Sequence, residues 1–126
     1  MPALERIHGF RVVASPAVID AARWHGGDVE VLRIAPDEGI GIGATGVDVD
    51  DADAIVEPDA GLSIAWLDAA SLTALARHIE WQLPTEPGRM VQGKVCGVPA
   101  KVLTGSPALL VVQTCFVDEL RTRLGW

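Results

Sequence analysis

The sequence predicts a two-layer α+β domain: a largely antiparallel sheet with helices packed on one face. Three observations carry this. Short apolar runs outnumber helical patterns and meet mostly through Pro, Asp and Gly clusters, the connections of antiparallel hairpins. Three stretches read as helices, and the clearest places its apolar residues at helical spacing below a good capping residue. The 126 residues contain no evident linker, so one domain spanning 1–126 is expected, long enough to bury a core without staples.

Residues 10–14 form a short apolar run, read as a strand. Ser15-Pro16 then opens a helix predicted over 16–25. Serine suits a cap, and proline suits the first helical position, where its missing N–H has no intrahelical partner. Val18, Ile19 and Ala22 would be buried, and Gly26-Gly27 would end the helix. Strands follow at 29–34 and 40–44, joined by Ala35-Pro36-Asp37-Glu38-Gly39. A second hairpin is predicted from 54–57 and 62–66 around Pro58-Asp59-Ala60-Gly61. There Leu62, Ile64 and Trp66 alternate with Ser63 and Ala65, which points the large side chains to a core. Asp68 caps the clearest helix, 69–83, whose stripe is Leu72, Leu75, Ala76, Ile79 and Leu83 before Pro84. Strands at 91–96 and 100–103 turn around Gly97-Val98-Pro99. A buried strand at 108–112 and a helix at 115–124, with Phe116, Leu120 and Leu124 on one face, complete the chain.

The net charge is −7, unevenly placed. Residues 1–63 hold 12 acidic and 4 basic side chains, a balance of −8; residues 64–126 hold 5 and 6, a balance of +1. An acidic half argues against nucleic acid and anionic membranes as partners, because both require Lys and Arg. No apolar run is long enough to span a bilayer. Residues 1–10 lack a basic segment followed by an apolar stretch, so no secretory signal is predicted and the cytoplasm is the expected location. Cys96 and Cys115 form no C-x-x-C pair and are expected as buried, reduced thiols. With no Tyr and two Phe, the large anchors are Trp24, Trp66, Trp81 and Trp126, each expected in a core.

Gly41-Ile42-Gly43-Ala44-Thr45-Gly46 matches G-x-G-x-x-G. A dinucleotide site needs a helix to follow, whereas Val47-Asp48-Val49-Asp50-Asp51 is acidic and β-branched. The glycines therefore read as a strand built for close packing or a bulge. Six acids lie between Asp48 and Asp59. As a calcium loop this segment fails at its fifth, sixth and twelfth positions, Ala52, Asp53 and Asp59, leaving a solvated acidic loop or a surface for a basic partner. His8, His25 and His78 include no i+3 or i+4 pair, so no metal site is predicted. His25 is expected at a helix C-terminus, where the dipole favours a cation. Ser63, Ser71 and Ser106 lie outside any G-x-S-x-G; a triad assembled in space with His78 and an acid stays open, because triads are recognised by geometry.

Two candidate surfaces follow. A ligand pocket is placed beside helix 69–83, at Trp66, Arg77, His78 and Trp81. A partner surface is placed at Asp48, Asp50, Asp51 and Asp53. No catalytic residue and no cofactor is predicted.

The order of elements carries a resemblance. Pro36-Asp37-Glu38 follows a strand; two strands and the Asp68-capped helix come next, then the 93–103 hairpin, strand 108–112 and a helix starting near Thr114. Over residues 28–126 this resembles the gamma subunit of heterotetrameric sarcosine oxidase, which is related to the folate-binding domains of aminomethyltransferases. The specific match is Pro36, Asp37 and Glu38. The resemblance implies a non-catalytic scaffold, with flavin and substrate on other chains. The expected function is thus a non-catalytic subunit or protein-interaction module, within a larger oxidoreductase assembly or as a homo-oligomer. The alternative is a small-molecule binding domain or small enzyme using the pocket beside helix 69–83.

Overall fold

The structure, a computed structural model, describes residues 2–126. In chain order it contains β1 (Glu5–Arg6), β2 (Gly9–Val13), α1 (Pro16–Asp20), β3 (Arg23–His25), β4 (Glu30–Ala35), β5 (Glu38–Ile42), β6 (Gly46–Asp48) and β7 (Ile55–Glu57). There follow β8 (Leu62–Leu67), α2 (Ala69–Ala76), β9 (Met90–Val95), β10 (Val98–Leu103), β11 (Ala108–Gln113), a 3-10 turn (Thr114–Phe116) and α3 (Val117–Leu124). Every described strand pairing is antiparallel, and the class is α+β, as the sequence predicts. Among the described residues no helix is long and apolar enough to cross a membrane.

The chain forms two compact units. One comprises residues 2–6 and Gly61–Trp126, built on a sheet of order β1-β8-β11-β10-β9. Successive side chains on a strand point to opposite faces, so the register fixes which residues share a layer. Ala65, Leu67, Ala100, Val102, Ala108, Leu110 and Val112 share one face with Leu75 of α2 and with Val117 and Leu120 of α3 in a single core cluster. Both helices therefore lie on one face of this sheet, as expected. On β8 that face is Ser63, Ala65 and Leu67, the reverse of the predicted orientation. Ile64 is buried on the opposite side, and Trp66 stands 45% exposed. Small residues are what a helix layer can approach closely, and the alternation alone does not say which face the helices take.

The other unit, Ile7–Ala60, holds a sheet of order β4-β5-β2-β7 and the pair β3-β6. Its buried side chains include Val12, Ile19, Leu32, Ile34 and Ile40. β4 and β5 form the predicted hairpin, with Pro36 and Asp37 as the turn between the paired Ala35 and Glu38. Strands β7 and β8 do not form one. β7 pairs with β2 while β8 pairs with β1 and β11, so Pro58–Gly61 is a crossing between sheets.

Two predicted helices are shorter than their patterns. Helix α1 stops at Asp20, because Arg23-Trp24-His25 takes a period of two against β6. His25 consequently lies on a strand and not at a helix end. Helix α2 is capped as predicted, with the Asp68 carboxylate accepting from the Ser71 amide at 2.8 Å. It ends at Ala76 in place of Leu83. Its last turn tightens to i→i−3 bonds, from Arg77, His78 and Ile79 to Ala74, Leu75 and Ala76. Residues 78–81 then bond across to β9 and its turn instead of continuing the helix.

Candidate functional site

β9 and β10 meet in a two-residue turn, Cys96-Gly97, with φ of 50° and 79°. Positive φ at both positions is the geometry of a type I′ hairpin, which normally recruits Asn-Gly or Gly-Gly. Cys96 is the one non-glycine residue at positive φ among those described. The turn is pinned from two sides. The Cys96 amide donates to the His78 carbonyl at 3.0 Å, and the Arg123 guanidinium donates to the Cys96 carbonyl. Nearby, the Trp81 indole N–H donates to the Lys94 carbonyl at 3.0 Å. Its ring lies directly over Gly93, where an added Cβ would stand 2.3 Å from the indole.

These contacts leave a surface cleft of about 490 Å³ lined by His78, Glu80, Trp81, Lys94, Cys96 and Gly97. Its volume lies within the range typical of small-molecule sites. The lining offers an aromatic ring, an ammonium, an imidazole, a carboxylate and a thiol. Among the described residues no group of three or more His, Cys, Asp or Glu is placed to hold a metal ion.

Of the four residues predicted for a pocket, the structure brings His78 and Trp81 together and leaves two apart. Arg77 is the exposed C-cap of α2, outside the cleft lining. Trp66 lies on the sheet face opposite to Ala65 and Leu67, away from the helix layer that Trp81 joins. Lys94, Glu80 and Cys96 join the cleft although no sequence pattern places them there. A signal for the turn at Cys96 is present: a residue followed by glycine between two apolar strands marks a two-residue turn, one position earlier than the predicted Gly97-Val98-Pro99. Neither cysteine is buried as expected. Cys96 is partly exposed at its turn, and Cys115 is exposed in the 3-10 turn.

The acidic candidates sit in the other unit. The His25 ring nitrogen Nε2 lies 2.7 Å from Asp48, and Arg23 reaches both Asp50 oxygens at 3.2 and 3.3 Å. The Arg23 hydrogen bond and charge hold the Asp50 carboxyl below its ordinary value, and Asp50 raises Arg23 in return. Asp51 accepts from the Asp53 amide at 2.9 Å in a local turn, and Asp53 is exposed. Arg11 bonds Glu38 at 2.5 Å and Glu57 at 3.1 Å, and its pKa is raised, first by the Glu38 hydrogen bond. The glycine run holds no nucleotide-type turn. β5 passes through Gly43-Ala44-Thr45 directly into strand β6, with no helix behind it. Gly41 instead receives the Trp24 indole, 2.3 Å from where a Cβ would stand, which is the close packing the sequence predicts.

No protein-family model and no curated protein matches this chain.

Proposed function

We propose that the chain is a non-catalytic interaction subunit, an accessory component of a larger cytoplasmic assembly whose chemistry resides on other chains. The observation that carries this reading is Trp66. Its backbone is fixed within the register of β8, between β1 and β11, yet its indole is 45% exposed. A rigid, half-exposed tryptophan is the kind of side chain that anchors protein interfaces, because it buries a large area at little entropic cost. The resemblance to the sarcosine oxidase gamma subunit gives the assembly its suggested kind, an oxidoreductase. The test is the solution mass of the protein purified from its native host. A stoichiometric heteromer that is lost in Trp66→Arg is expected; a lone monomer overturns the reading.

A second reading, a small-molecule binding domain, is favoured by the cleft that joins His78, Trp81, Lys94 and Cys96. Tryptophan fluorescence titration against folates, nucleotides and amines tests it. A response carried by Trp81 and lost in Lys94→Ala supports it, and a flat titration for every ligand counts against it.

A further inference from the structure

We propose that the free edge of β7 receives an extended, cationic strand from a partner protein, adding a fifth strand to the sheet β4-β5-β2-β7. The inference rests on the interaction-subunit reading and gives it a second surface with a stated chemistry. β7 is the last strand of its sheet, paired with β2 on one side alone, so its outward backbone groups form an open ladder. Its two apolar residues are unusually bare for a strand: Ile55 is 51% exposed and Val56 is 41% exposed. They point to opposite faces, so both sides of the edge are apolar.

Two other sheet edges are treated differently. β4 carries Val31, 49% exposed, but its register shifts between Arg33 and Ala35, a bulge that disrupts strand addition. The β9 edge is closed by Trp81 on the Lys94 carbonyl. β7 has neither device.

Charge decides the occupant. Residues 7–60 hold 11 acidic and 3 basic side chains, a balance of −8. The three arginines are already engaged: Arg11 with Glu38 and Glu57, Arg23 with Asp50, and Arg33 with Asp20. The acids around β7 are Asp51 and Asp53 before it, Glu57 within it and Asp59 after it. A second copy of this edge would bring like charge to like charge, which opposes self-pairing. A lysine- or arginine-bearing strand meets the same field attractively, with main-chain bonds for affinity and apolar side chains against Ile55 and Val56.

The test uses the full chain, labelled for amide NMR, and a blocked synthetic peptide of alternating lysine and valine at low ionic strength. The expected result is shift changes and slowed amide exchange centred on Ile55–Glu57, loss of both at high salt, and no effect from a glutamate–valine peptide. Ile55→Lys, with its remaining amide spectrum intact, is expected to weaken the peptide by about tenfold or more. Shifts scattered over the acidic surface without protection of β7, equal binding by Ile55→Lys, or no binding overturns the proposal. If the native assembly forms while the peptide fails, the β7 edge alone is rejected; a monomeric native protein rejects the subunit reading itself.

Discussion

Gly41 and Gly93 are each one half of an interlock with a tryptophan. The Trp24 ring occupies the space a Cβ on Gly41 would need, and Trp81 does the same at Gly93. A methyl group 2.3 Å from an aromatic carbon forces either the ring or the strand to move. Overpacking of this kind costs about 1–3 kcal/mol. Gly41→Ala is therefore expected to lower the urea midpoint and to shift Trp24 emission, whereas Gly27→Ala, at a glycine with open space around it, is not. Cys96 presents the opposite case. Its φ of 50° suits asparagine better than cysteine, so Cys96→Asn should stabilise the chain by about 0.5–1 kcal/mol, read by urea denaturation. A residue kept at a strained position inside a cleft is a candidate for function, and the same substitution should then weaken any ligand the cleft holds.

Helix α2 shows what an element owes to its cap and what it owes to the layer beneath. Asp68 accepts the Ser71 amide, and this hydrogen bond, the largest influence on it, lowers the carboxyl pKa below its ordinary value. A group depressed in the folded state stabilises above its unfolded pKa, about 3.9, and the effect fades as pH falls through the lower folded value. Asp68→Ala should therefore reduce the urea midpoint at pH 7, and the gap from wild type should close progressively below about pH 4. A gap that stays constant through that range would exclude the charged cap as its cause. The cap was legible in sequence because capping is local. The helix end was not, because it is set by Cys96 and Lys94, which bond residues 78 and 81 from a distant hairpin. The same contrast explains α1. Ser15-Pro16 marks its start, although the Ser15 side chain makes no capping hydrogen bond, while its end depends on β6 arriving to pair with Arg23–His25. The candidate cleft was half legible for this reason: His78 and Trp81 lie on the helix-derived segment that was read, and Lys94 and Cys96 on a hairpin whose proximity no local pattern encodes.

On the scale of the whole molecule, the charge is divided unevenly between the two units. The core of residues 61–126 is nearly neutral in its surroundings and rests on Leu75, Leu110 and Leu120. Leu120, which has no exposure, ties α3 to the sheet, and Leu120→Ala is expected to cost about 2–5 kcal/mol by urea denaturation. Residues 7–60 instead fold against their own charge. Their ion pairs neutralise part of it, yet 11 acids face 3 arginines and the excess repels itself. Salt weakens the pairs and the repulsion together, so the sign of the net response reveals which dominates. The excess of acids argues for repulsion. Raising NaCl from 0.01 to 0.1 M shortens the screening length from about 30 to about 10 Å, enough to quench long-range repulsion while contacts near 3 Å persist. The thermal midpoint at pH 7 should therefore rise with salt. The double substitution Asp51→Asn with Asp53→Asn should raise it at low salt and flatten its salt dependence. A midpoint that falls with salt would mean that the pairs of Arg11, Arg23 and Arg33 outweigh the acidic excess.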